Sequence, residues 1–157
     1  MFDPETTAFL ESGCALIVGT VDGDGEPHAG RLWGLDVISD DAETLVRLLL
    51  DADDLTTIDH AAASGPLAVT ATSVRTLHSM QLKGGSRYLE RATDDDEARA
   101  RRYMELFFTD IRETDGTSAE LLKRFEPRGF VACVMEVRER YDQTPGPAAG
   151  ARIEQER

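Results

Sequence analysis

Three strand-like runs succeed one another with only short links between them, and that spacing is the tightest constraint the chain carries. The first is CALIVGTV (14–21), rich in β-branched residues, the second HAGRLWGLDVIS (28–39), and the third TLVRLLL (44–50). DGDGEP joins the first two, and Asp40 and Asp41 mark a turn between the second and third. Gly and Asp between two such runs signal a hairpin. Links this short cannot hold the crossover that parallel pairing requires, so the three runs form an antiparallel meander.

The third run empties into LLLDADDLTTIDHAAASG (48–65), where an apolar strand meets three aspartates and a helix begins. Leu55, Ile58 and Ala62 recur at spacings of three and four and form the predicted inner face, and Gly65 and Pro66 stop the helix. A helix that starts after a strand offers free amides to a phosphate. Here Asp51, Asp53 and Asp54 line that start. A carboxylate from Asp53 or Asp54 is expected to cap the helix and occupy those amides. A phosphate brought against one carboxylate at the surface is repelled by up to about 4 kcal/mol.

Beyond Pro66, PLAVTATS (66–73) and TLHSMQLKGGSRYLERAT (76–93) read as two more strands, the second bent at Gly84-Gly85. Residues 94–113 read as a helix with Ala100, Met104, Phe107, Phe108 and Ile111 on one face, and its acidic start reads as solvated. TSAE (117–120) has the form of a capping box for a short helix, and GFVACVMEVRERY (129–141) is the last strand. A first short helix spans 4–12, capped by Asp3, with Pro4 at its first position and Gly13 at its stop. The expectation is a mostly β domain over 1–141, a barrel of about six mainly antiparallel strands with peripheral helices. Residues 142–157 have turn formers and charge but little to bury, which predicts a loosely held C-terminal tail.

The net charge of −13 opposes binding to nucleic acid or to anionic membranes, since both need a cationic surface. No apolar run approaches the roughly 20 residues of a membrane span. The N-terminus carries acids where a signal peptide carries Lys or Arg, so a cytoplasmic location is expected. Cys14 and Cys133 lie inside apolar runs and read as buried, reduced thiols. His28, His60 and His78 fall in three different elements without metal-ligand spacing, so no metal site is expected. GxSxG, P-loop and dinucleotide patterns are absent, and no catalytic acid or base is nominated.

LIVGTVDGDGEPHAGRLWGL (16–35), LAVTATSVRTLHSMQLKG (67–84) and the strand-to-helix segment between them resemble the pyridoxamine 5′-phosphate oxidase-like, FMN-binding split-barrel family. The resemblance implies a split β-barrel that assembles as a homodimer, with FMN in the clefts between subunits. It places Arg31, Leu32, Trp33 and Gly34 beside the flavin ring. Thr56 and Thr57 are the hydroxyl donors left where the family has Ser, Arg and Lys on the phosphate. Ser79 and Gln81 lie on the strand whose polar side chains face the ring, with Lys83 next in the alternation and Gln81 the leading candidate. The implied activity is flavin-dependent oxidoreduction of an unknown small molecule. Two alternatives stand beside it. One is a degenerate barrel that no longer binds FMN and serves as a small-ligand-binding or dimeric module. The other is a barrel that uses a deazaflavin, or a haem held by His28 or His78.

Overall fold

The DGDGEP turn forms a hairpin because Asp22 organises it: its carboxylate accepts from the amides of Asp24 and Glu26, and Gly25 takes a φ of 87°. In this computed structural model, which describes residues 2–38 and 43–154, the turn joins β1 (Ala15–Val21) to β2 (Pro27–Val37). The predicted turn at Asp40 and Asp41 lies outside the described residues. β2 pairs antiparallel with β3 (Leu45–Asp51), which completes the expected meander.

Helix α2 (Leu55–Ala62) then carries the chain to the other side of β1, where β4 (Pro66–Thr72) pairs antiparallel with it. β5 (Ser79–Arg91) follows β4, and β6 (Phe130–Asp142) inserts between β5 and β3. The strand order β1-β2-β3-β6-β5-β4 closes into a six-stranded antiparallel barrel, which leaves no unpaired edge. The expected bend in β5 is a register shift between Lys83 and Gly84. A Cβ on Gly84 would lie 1.7 Å from the Glu136 carbonyl oxygen, so no larger residue fits where the strands press together.

Alternate residues fill the interior: Leu16 and Val18, Leu32 and Leu35, Val46 and Leu48, Val69 and Ala71, Leu82, and Met135 are all buried. The run Leu48–Leu50 is buried throughout because α3 (Asp94–Asp115) lies on the outside, with Ala100 against Leu49 and Ala132. The inward face of α3 contains the predicted Ala100, Met104 and Phe107, with Phe108 and Ile111 half-buried, and adds Tyr103. Its acidic start is not wholly solvated. Asp96 is buried, accepts from the Thr93 amide in a capping box, and is gripped by Arg47 at 2.7 Å through each of two nitrogens.

Two local expectations shift. Ser118, not Thr117, caps α4 (Ala119–Lys123), accepting from the Leu121 amide. The inner face of α2 is Thr57, Ile58 and Ala61, while Leu55 is 66% exposed and Ala62 faces solvent. The helix is turned because the Thr57 hydroxyl has a partner at the cap, which lets a polar residue go inside.

Helix α1 (Pro4–Leu10) is capped by Asp3, as its sequence suggests. Cys14 and Cys133 are free and buried, and burial pushes both thiols above their ordinary range. After β6 the chain turns back, so that Arg152 bridges Tyr141 and the Ile153 amide donates to the Arg140 carbonyl. None of the described helices is long and apolar enough to cross a membrane.

Candidate functional site

Strand register, which no local pattern reveals, assembles the site. Arg31 pairs with Ile17, Ile17 with Thr70, Thr70 with Gln81, and Gln81 with Tyr141. These five residues form one row across five strands. They alternate with inward-pointing Leu16, Val18, Val69 and Leu82, so their side chains lie on the outer face. At the usual inter-strand spacing Arg31 and Gln81 stand about 14 Å apart along the row. The strip is partly open, with Ile17, the neighbour of Arg31, 39% exposed.

The next row is Ala29, Gly19, Ala68, Lys83 and Glu139. Three small residues in succession leave a depression, seen as a cavity of about 800 Å³ bordered by Gly19, Ala68, Lys83 and Arg138. Gln81 Nε2 donates to Thr70 Oγ1 at 3.0 Å, and Lys83 Nζ lies 4.8 Å from the centre of the Tyr141 ring. Ser79 is buried, and its hydroxyl is 2.9 Å from both Thr72 Oγ1 and the Leu77 carbonyl oxygen.

At the other end of the strip, Arg31 lies under α3, its guanidinium 5.3 Å from the Phe107 ring centre. Its Nη1 is shielded from solvent and has no hydrogen-bond partner among the described residues. Trp33 is buried, with Phe108 edge-on at 6.3 Å. Leu32 points into the barrel and is fully buried, and Gly34 lies against the Leu49 side chain. Arg31 and Trp33 border a second cavity of about 550 Å³, together with Asp51, Asp53 and Asp54.

The start of α2 carries its own carboxylate. Asp54 is its N-cap: the carboxylate accepts from the Thr57 amide at 3.1 Å and from the Thr57 hydroxyl at 2.6 Å, and His28 Nε2 lies 3.2 Å away. Burial pushes the Asp54 carboxyl up, but the Thr57 hydrogen bonds and His28 outweigh it and hold it below its usual value. Thr57 is therefore committed inside the protein, while Thr56 is exposed. The predicted residues thus divide into Arg31 and Gln81 on one row, Ser79 at its flank, and Trp33 beside Arg31. Leu32, Gly34 and Thr57 present no free side-chain group to the strip.

The other candidates are engaged elsewhere. Arg75 pairs with Asp110 at 2.7 Å and with Glu113. His78 Nδ1 lies 3.1 Å from the Thr144 hydroxyl and its ring 4.5 Å from Phe9, and His60 Nδ1 lies 2.8 Å from Thr20 Oγ1. Among the described residues no cluster of His, Cys, Asp and Glu is placed to hold a metal ion. Sequence reasoning missed Thr70 and Tyr141 on the row, and Arg124 and Arg128 on the second cavity. Only the strand pairing brings these four into place.

No protein-family model matches the chain, and no curated protein matches it in sequence. Solved structures do match the fold. HupZ of Group A Streptococcus is 17% identical over 96% of this chain and 100% of its own, with a TM-score of 0.56. A provisionally assigned pyridoxamine 5′-phosphate oxidase from Lactobacillus delbrueckii is 13% identical over 89% of this chain and 93% of its own, with a TM-score of 0.54. An FMN-binding protein from Syntrophomonas wolfei is 12% identical over 99% and 90%, with a TM-score of 0.52. The fold is the split barrel of the pyridoxamine 5′-phosphate oxidase-like proteins.

Proposed function

We propose that the chain binds the planar ring of a flavin-type cofactor on its outer strip, between two copies of itself, and acts as an oxidoreductase on a small molecule. The observation that carries this reading is the single row Arg31–Ile17–Thr70–Gln81, which sets a cation and a carboxamide at the two ends of a partly open apolar step. A fused three-ring ligand lying across the strands spans such a row. Ile17 and the small residues Gly19, Ala29 and Ala68 give it a shallow floor. Two of the similar structures carry names that refer to FMN or to pyridoxamine 5′-phosphate oxidation, which supports the ring's chemistry.

The fit differs between the two ends of FMN. The strip suits the ring, but the start of α2 does not suit a phosphate, because the Asp54 carboxylate takes the Thr57 amide and sets a negative charge there. When bound, the flavin supplies reversible hydride and electron transfer, and the protein supplies orientation and electrostatics. Gln81 keeps one amide hydrogen and its carbonyl oxygen for the ring edge after bonding Thr70. Arg31 holds a fixed positive charge beside the ring, which favours negative charge there.

A second reading, an occupant without a phosphate, draws on the Asp54 cap alone. Visible absorption of the purified protein, followed by titration with FMN and with riboflavin, tests both. Saturable micromolar binding of either flavin, weakened tenfold by Gln81→Ala, supports the ring site. A colourless protein that ignores both flavins overturns it.

A further inference from the structure

The second cavity has a composition that the strip does not explain. In a chain with 30 acidic and 17 basic residues, three arginines border it: Arg31 from β2, and Arg124 and Arg128 from the α4–β6 link. Among the described residues none of the three forms a salt bridge, which is equally true of Arg91, Arg102, Arg112, Arg140 and Arg152; what sets the three apart is that they meet at one cavity. Arg31 Nη1, buried and unpartnered, bears a desolvation cost that an acceptor in the cavity would relieve. Trp33 and Phe125 supply aromatic walls, and Phe125 is 58% exposed despite its size.

The same cavity holds carboxylates. Asp54 is spent on the α2 cap and His28, but among the described residues Asp53 and Glu126 have no side-chain partner, and the Asp51 carboxylate accepts only from the Asp53 amide. A bare inorganic anion suits such a mixture poorly. A chain of hydroxyls ending in a phosphate suits it well, because hydroxyls donate to carboxylates while phosphate oxygens accept from guanidinium groups. The link is held in place beside these aspartates: Asp51 pairs with Phe130, and the Ala52 amide donates to the Gly129 carbonyl at 3.0 Å.

We propose that this cavity seats a polyol phosphate, with Arg31, Arg124 and Arg128 on the phosphate and Asp51 and Asp53 on the hydroxyls. Resting on the flavin reading above, this makes it the site of the ribityl phosphate tail. Arg31 then serves as the joint between ring and tail, and the α4–β6 link does the work that the capped start of α2 cannot.

The test compares FMN, riboflavin and ribose 5-phosphate on the wild-type protein and on the Arg124→Ala/Arg128→Ala variant, with Trp33 emission as the readout. Both arginines are exposed, and an unchanged melting temperature establishes that the variant is folded. The variant is expected to lose FMN affinity tenfold or more, to keep riboflavin within twofold, and to lose the response to ribose 5-phosphate. Equal FMN affinity in the two proteins overturns the cavity proposal and leaves the ring site standing. A response to ribose 5-phosphate that the variant abolishes, with no binding of either flavin, supports the cavity and overturns the ring. Silence toward all three ligands overturns both.

Discussion

Gly30 and Asp54 share one small volume: a Cβ placed on Gly30 would lie 2.4 Å from Asp54 Oδ2 and 2.5 Å from Thr57 Oγ1. The missing side chain on β2 is what lets the carboxylate cap α2 while reaching His28 on the same strand. Gly30→Ala must displace that cap. The expected cost is about 1–3 kcal/mol, measured as a lower urea midpoint with unchanged slope. A midpoint equal to wild type would mean that the cap adjusts freely.

Asp54→Ser separates the cap from its charge. Serine caps a helix about as well as aspartate, so stability should stay within about 0.5 kcal/mol. The loss of a carboxylate from the cavity beside Arg31 should raise FMN affinity by about tenfold. Riboflavin, which has no phosphate, should bind the variant and the wild type alike. A gain for both flavins would place the effect elsewhere.

Arg47 and Asp96 join the outer face of β3 to the start of α3 through two 2.7 Å hydrogen bonds, with Asp96 only 3% exposed. The Arg47 guanidinium, helped by Thr93, outweighs the effect of burial and holds the Asp96 carboxyl at about 2, below its ordinary 3.8. A carboxyl depressed in the folded state stabilises fully above its unfolded value, and that stability is lost as pH falls through the folded value. About 2 kcal/mol should therefore disappear between pH 4 and pH 2. Asp96→Asn should flatten this part of the urea midpoint against pH. At neutral pH it should cost roughly 3 kcal/mol, because Arg47 loses its main partner. An unchanged acid slope in the variant would assign the acid sensitivity to other carboxylates.

Trp33 is the only tryptophan, is 3% exposed, and borders the cavity with Arg31. Its emission should be blue-shifted in the native protein and quenched as a flavin binds. Unfolding in urea should shift it to the red. Flavin binding that leaves the emission unaltered would move the ring away from Arg31.

Much of the fold was legible before any tertiary information. DGDGEP between two β-branched runs specifies its hairpin, Asp3 caps its helix, an aspartate of the pair Asp53 and Asp54 caps the next, and apolar alternation marks the strands, because these effects act between residues a few positions apart. The split barrel itself came from the resemblance of residues 16–35 and 67–84. Arg31 and Gln81 were legible as candidates, but their place on one row was not, since it depends on β1 and β4 lying between them.

The remaining features follow from pairing at long range. The insertion of β6 between β3 and β5 brings Phe130 opposite Asp51, and with it carries Arg124 and Arg128 to the aspartates that the sequence shows alone. Packing of α3 on the same barrel turns an acidic residue, Asp96, into the buried partner of an arginine 49 positions away. Local propensity is blind to both. Cap and turn energies depend on neighbouring residues, whereas the partner of a strand or a buried charge is set by closing the whole barrel.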